Sequence, residues 1–373
     1  MPLEPMRNQT RADYIPQKQN KMYMKKKTII TVLLAVMTMS VQTASAGVEI
    51  NKTNFPDDKF RNWILHQEYG TDGILTDIEI ANVIYISVSN KGIQSMKGIE
   101  FFTALTTLWC DKNKLTSLDV SQNTALTWLE CSDNQLTVVD VSKNTMLYSL
   151  HCANNQLATL DVTQNTVLAQ LDCSNNQLMK LDLSKNTEMI NLTCDRNQLT
   201  TLDVSNNTAL TWLDCSDNQL TTLDMSMNTE LEYLYCDSNQ LTTLDMSKNK
   251  KLAQLMCYRN RINGARMDVL VESLPYNVIT SFLYVIYNEN DQNVITTVQV
   301  VAAKDKGWTP LYFDGYSWQE YTGSDPASIK SIDNGDSTDN ETDAWFSLDG
   351  RRLSGKPSQH NVYVNNGRKI VIK

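Results

Sequence analysis

Histidine is scarce in this chain: 373 residues hold three, His66, His151 and His360, spread far apart. There is no G-x-S-x-G elbow, no H-E-x-x-H and no G-x-G-x-x-G. The usual sequence marks of acyl transfer, zinc hydrolysis and dinucleotide binding are absent, and an enzyme is the poorer reading. Basic residues are outnumbered, 33 Lys and Arg against 42 Asp and Glu, for a net charge of -9. Such a surface repels phosphate backbones and no basic stripe interrupts it, which argues against nucleic acid as a partner. The one long apolar run, TIITVLLAVMTMSV, falls short of the ~20 residues that a membrane-spanning helix needs. No cysteine lies outside a single periodic column.

That column organises the chain. All eight cysteines, from Cys110 to Cys257, stand 21 residues apart, inside a unit with the skeleton L-x-x-L-x-C-x-x-N-x-L-x-x-L-D-[VLM]-[ST]-x-N-[TK]-x. The period and the L-x-x-L-x-[LC]-x-x-N core are the leucine-rich-repeat signature, with one short strand per turn. One such turn cannot bury its own apolar side chains, so stability comes from stacking and the two ends need lids. The fold class expected is an α+β repeat solenoid, a curved leucine-rich-repeat stack with a parallel concave sheet, a helical N-cap and an α/β C-cap.

Before the stack, Met24 and three lysines precede the apolar run, and Ala44-Ser45-Ala46 follows it. This is the layout of a secretory signal peptide over 24–46, with residues 1–23 an over-extended reading frame. Removing 1–46, which carries five net positive charges, leaves the exported chain at -14. Residues 47–82 read as the N-cap, with Phe60, Trp63 and Ile64 at helical spacing and a second short helix near Ile78 to Ile80. Repeats occupy 83–262: a divergent first turn over 83–104 keeps Val83, Ile86, Val88, Ile93 and Met96 in the apolar columns, with Lys91 in place of Asn. A C-cap over 263–325 alternates helix and strand, and an acidic, polar flexible linker covers 326–343. Residues 344–373 form a β segment with an Asn366-Gly367 hairpin turn.

Within the N-cap, EYGTDGILTDIE overlays a calcium loop, with Glu68, Asp72 and Glu79 as ligands, although Gly70 stands where an acid belongs. The plainer reading keeps the Gly73 turn and a Thr76 helix cap without metal, so no cofactor is required. The columns themselves divide by role. Constant positions build the turn: the asparagines from Asn113 to Asn260 satisfy backbone groups at the bend, and the aspartates from Asp119 to Asp245 cap turns. A calcium ladder along those aspartates is the alternative. The cysteines are expected to remain buried thiols, because parallel side chains one strand apart keep their Cβ atoms too distant for a disulfide.

Variable strand positions alternate with the buried leucines and face outward. Trp109, Trp128, Glu130, His151, Asp172, Trp212, Asp214, Tyr233, Tyr235 and Tyr258 are the candidate ligand-binding residues. Rigid rings and carboxylates in one face suit recognition of a protein or glycan. His151 beside Asp172 on adjacent turns is the one acid–base pair the register suggests. The repeat, together with NFPDDKFRNWI, GIEFFTALTTL and VVAAKDKGWTP, resembles secreted and cell-surface leucine-rich-repeat proteins of Gram-negative anaerobes. The tail's SLDGRR, VYV and NNGRKIVIK are similar to sorting segments of the type IX secretion system. The resemblance implies an exported, non-enzymatic binding or adhesion module. The chain is expected to be a monomer outside the cell, with no stable membrane insertion. A self-assembling surface component and a hydrolase are the alternatives.

Overall fold

The computed structural model describes residues 47–277 and 281–324, and the backbone of 345–347, 361–365 and 368–372. The leader, the linker and the Asn366-Gly367 turn lie outside the described residues.

The N-cap opens with strand β1 (Val48–Glu49), which pairs antiparallel with β2 (Ile74–Leu75). Helix α1 (Asp58–Leu65) lies between them and buries Phe60 and Ile64. Asp57 ties this helix to the stack: Oδ1 accepts the Lys59 and Phe60 N–H groups at its N-terminus, and Oδ2 accepts those of Gln94 and Ser95 in the first turn. Helix α2 (Asp77–Asn82) follows, as the sequence predicts, and is closed by a capping box between Thr76 and Glu79.

The turns contribute strands β3 (Tyr85–Ser87), β4 (Thr107–Trp109), β5 (Trp128–Glu130), β6 (Ser149–His151), β7 (Gln170–Asp172), β8 (Asn191–Thr193), β9 (Trp212–Asp214), β10 (Tyr233–Tyr235) and β11 (Gln254–Met256). All pair parallel and in register, so Leu108, Leu129, Leu150 and their successors stack in one column. Those leucines are buried, as are the eight cysteines of the next inward column. Two residues past Val88 and past each cysteine the chain bends through a residue with positive φ, from Asn90 and Lys112 to Arg259.

Two asparagine ladders lock the bends. In the first, Asn134 Nδ2 donates to the carbonyls of Cys131 and of Cys110 one turn earlier, and Oδ1 accepts the Leu115 N–H. In the second, Asn144 Nδ2 donates to the Val120 and Asn123 carbonyls. The pattern repeats to Asn260 and Asn249 respectively. The aspartate column caps turns as expected, with Asp161 Oδ1 accepting the Thr163 N–H and hydroxyl.

The C-cap departs from a separate lid. Helix α3 (Ala265–Ser273) buries Met267, Leu270 and Val271, and helix α4 (Thr297–Asp305) is joined to it by Gln299 Nε2 donating to Asp268 Oδ1. The intervening strands β12 (Ser281–Ile286) and β13 (Trp308–Phe313) continue the same parallel sheet, and β14 (Trp318–Glu320) closes it antiparallel. The result is one sheet of 12 strands from β3 to β14. A further three-stranded antiparallel sheet joins β15 (Trp345–Ser347), β16 (Asn361–Asn365) and β17 (Arg368–Ile372), the last two forming the expected hairpin.

Candidate binding face

Each strand from β3 to β11 is three residues long, so its central Ile or Leu points into the core and the first and third residues point to the open face of the sheet. The backbone therefore carries two parallel rows. One runs Tyr85, Thr107, Trp128, Ser149, Gln170, Asn191, Trp212, Tyr233, Gln254 and Phe282; the other runs Ser87, Trp109, Glu130, His151, Asp172, Thr193, Asp214, Tyr235, Met256 and Tyr284.

Rings gather at both ends of these rows. At the N-terminal end Tyr85 meets Trp109 edge-on at 5.6 Å, and Trp128 stacks on His151 at 5.6 Å with 10° between planes. At the C-terminal end Trp212 contacts Tyr233 and Tyr235, each at 4.9 Å. Between the two groups stand half-exposed Gln170, Asp172 and Asn191 and the more buried Thr193. Neither row contains a lysine or arginine from β3 to β12.

The expected His151–Asp172 pair does not form the observed contact. The two are register neighbours, but His151 Nδ1 faces Glu130 Oε2 on the other side at 3.7 Å, and its Nε2 lies 2.9 Å from Ser149 Oγ. Asp172 Oδ1 is instead drawn back by the Ser174 N–H and hydroxyl. Burial raises the Glu130 carboxyl above the ordinary glutamate range, against the opposing pull of the His151 imidazole.

Ser149, His151 and Glu130 thus share the order of a nucleophile, a base and an orienting acid. Two features argue against that chemistry. Ser149 is fully buried, and its hydroxyl donates to Gln170 Oε1, so it receives a proton from Nε2 rather than offering one. The strand N–H groups around it are spent in the ladder.

Two candidate residues are less accessible than alternation implied. Tyr258 is 3% exposed, buried with Met256, Tyr284, Leu311 and Trp318 as the cap folds over the last turn. Asp214 is 4% exposed, with Oδ1 accepting the Ser216 N–H and hydroxyl. Trp109, at 39%, is the most open tryptophan of the rows, and Trp128, Trp212, Tyr233 and Tyr235 are half-buried. Sequence reading missed Phe282 and Tyr284, which extend the aromatic end onto β12 and meet Trp318 of β14 at 4.8 Å from Tyr284. Their signal was the triplet Phe282-Leu283-Tyr284, the same x-L-x as every repeat strand.

Nor do the proposed calcium ligands converge. Glu79 Oε2 accepts the Thr76 N–H and hydroxyl, and Asp72 Oδ1 accepts the Ile74 N–H, while Glu68 opens a short 3-10 turn. Among the described residues no three His, Cys, Asp or Glu side chains are placed to share a metal ion. A shallow cavity of about 300 Å³ lies at the N-cap edge, between Tyr69, Glu79, Asn82 and the Val83–Tyr85 segment. Among the described residues no helix is long and apolar enough to cross a membrane.

No family model matches the chain. The functional domain of internalin J from Listeria monocytogenes, which includes a cysteine ladder, superimposes with a TM-score of 0.61 at 34% identity, over 71% of this chain and 56% of that one. Full-length internalin J is 42% identical over 71 residues, 18% of this chain and 8% of that protein. A leucine-rich-repeat protein of Leptospira interrogans matches at 26% identity with a TM-score of 0.46, over 48% of this chain and 50% of its own. The chain thus spans little more than half of the solved domain and a small part of the full-length relative. Its buried column of eight free thiols is a cysteine ladder in its own right. The chain is a leucine-rich-repeat solenoid of 21-residue turns, similar to the functional domain of internalin J.

Proposed function

We propose that the protein is a non-enzymatic, extracellular binding or adhesion module that recognises a protein or glycan with the open face of its sheet. The observation that carries this reading is the contrast between columns. Leu and Cys are constant and buried in every regular turn, whereas the two outward rows change from turn to turn and collect rings and carboxylates. A face selected only to fold would have no need of half-exposed tryptophans over a polar sheet. The likeness to internalin J supports a surface role, and the signal-peptide layout supports export.

The test is a surface-protein and glycan array probed with residues 47–373, followed by oxidative footprinting of each complex. Bound ligand should protect Trp109, Trp128, Trp212, Tyr233 and Tyr235, and leave Met179 and Met227, exposed on the loops between strands, as reactive as in the free protein. Protection confined to those methionines would place the site away from the sheet.

A further inference from the structure

We propose that the open face is built for a linear, neutral oligosaccharide lying across the strands; this rests on the reading of that face as the recognition surface. Direction comes first. Trp128 on β5 and Trp212 on β9 occupy the same row four strand steps apart, which is about 19 Å at ~4.8 Å per step. A pyranose unit advances a linear glycan by nearly one such step. An extended polypeptide advances by only about 3.3 Å per residue and falls out of phase with the rows.

The chemistry along that line alternates correctly for sugars. Trp128 and His151, both half-buried, stack with nearly parallel planes on neighbouring strands and offer an aromatic surface to the C–H face of a sugar ring, and Trp212 with Tyr233 supplies the second. Between them Gln170, Asp172 and Asn191 present amide donors and fixed acceptors, the pairing that hydroxyl groups require. Ser149 Oγ, 2.9 Å from Nε2, fixes the imidazole in its stacked position.

Charge selects among glycans. The rows offer Glu130 and Asp172 and no lysine or arginine from β3 to β12. Sulfated, sialylated and uronic chains would meet repulsion from these carboxylates, so among glycans a neutral one fits.

The experiment is titration calorimetry of residues 47–373 with cellohexaose, chitohexaose and maltohexaose, the matching disaccharides, heparin- and hyaluronan-derived hexasaccharides, and an oligo-lysine peptide. At least one neutral hexasaccharide should bind, more tightly than its disaccharide because only the longer chain reaches both platforms. Added salt should leave that affinity unchanged. Trp128→Ala and Trp212→Ala should each weaken it by about tenfold or more, while Trp128→Phe, which keeps a ring and the packing, should retain most of it. The anionic chains should not bind.

Failure of all neutral hexasaccharides, equal affinity for hexamer and dimer, or preference for oligo-lysine with salt-sensitive binding would overturn the proposal. If array-derived protein ligands lose binding in both alanine variants while no neutral glycan binds, the glycan assignment falls and the open-face reading stands. Hits indifferent to both variants would overturn both.

Discussion

At the residue scale the cysteines show how context reverses a composition rule. An even count in a chain expected to be exported ordinarily signals disulfides, yet all eight are free and fully buried. Burial pushes the thiols well above their ordinary range, and Cys110, Cys131 and Cys236 each donate weakly to a carbonyl of the next strand at 3.4 Å. The neutral thiol is a poor nucleophile, so the folded protein should resist alkylation. Denatured without reductant it should take up eight labels by mass; an even deficit restored by reductant would show disulfides. This column was legible because a period of 21 needs no tertiary information. Tyr258 was not: its burial depends on Trp318, 60 residues on, folding back over the last turn. Asp214 was not either: it accepts the Ser216 N–H and hydroxyl just as half-exposed Asp172 accepts those of Ser174, so the local sequence does not tell the two apart.

At the scale of elements, one of the expected calcium ligands has a role in the N-cap that needs no metal. Glu79 is spent on the Thr76 capping box, which fixes the start of α2, a helix with no buried residue of its own. Thr76→Ala should cost about 1 kcal/mol, read by urea unfolding. Millimolar calcium should leave the melting temperature unchanged; a rise that Glu79→Gln abolishes would reinstate the metal loop. Helices in both caps were readable from apolar spacing, because Phe60 and Ile64, or Met267, Leu270 and Val271, must share one face. Continuation of the sheet through β12 and β13 was not, because it depends on which side of the last turn the cap packs.

For the molecule as a whole, the aspartate column links stability to pH. Backbone N–H and hydroxyl groups of the following Ser or Thr hold Asp119, Asp140, Asp161, Asp182, Asp203 and Asp224 below the ordinary aspartate range. A depressed folded-state value means that this contribution is complete above the unfolded-state pKa of about 3.9 and is lost as pH falls through the folded values. Unfolding free energy from this source should be level near neutrality and decline below about pH 4. Asp161→Asn, which keeps the acceptor, should shallow the decline. Architecture was readable from the repeat alone; the division of the open face into two ringed ends and a polar middle needed the register that places Trp128 beside His151. The central claim is that constant columns build and variable rows bind. It is tested most directly by measuring, on the Trp128→Ala, Trp212→Ala double variant, affinity for the array ligands together with urea unfolding. The account predicts affinity reduced by about a hundredfold or more with stability changed by no more than about 1 kcal/mol. Unaltered affinity in a normally folded double variant would contradict it.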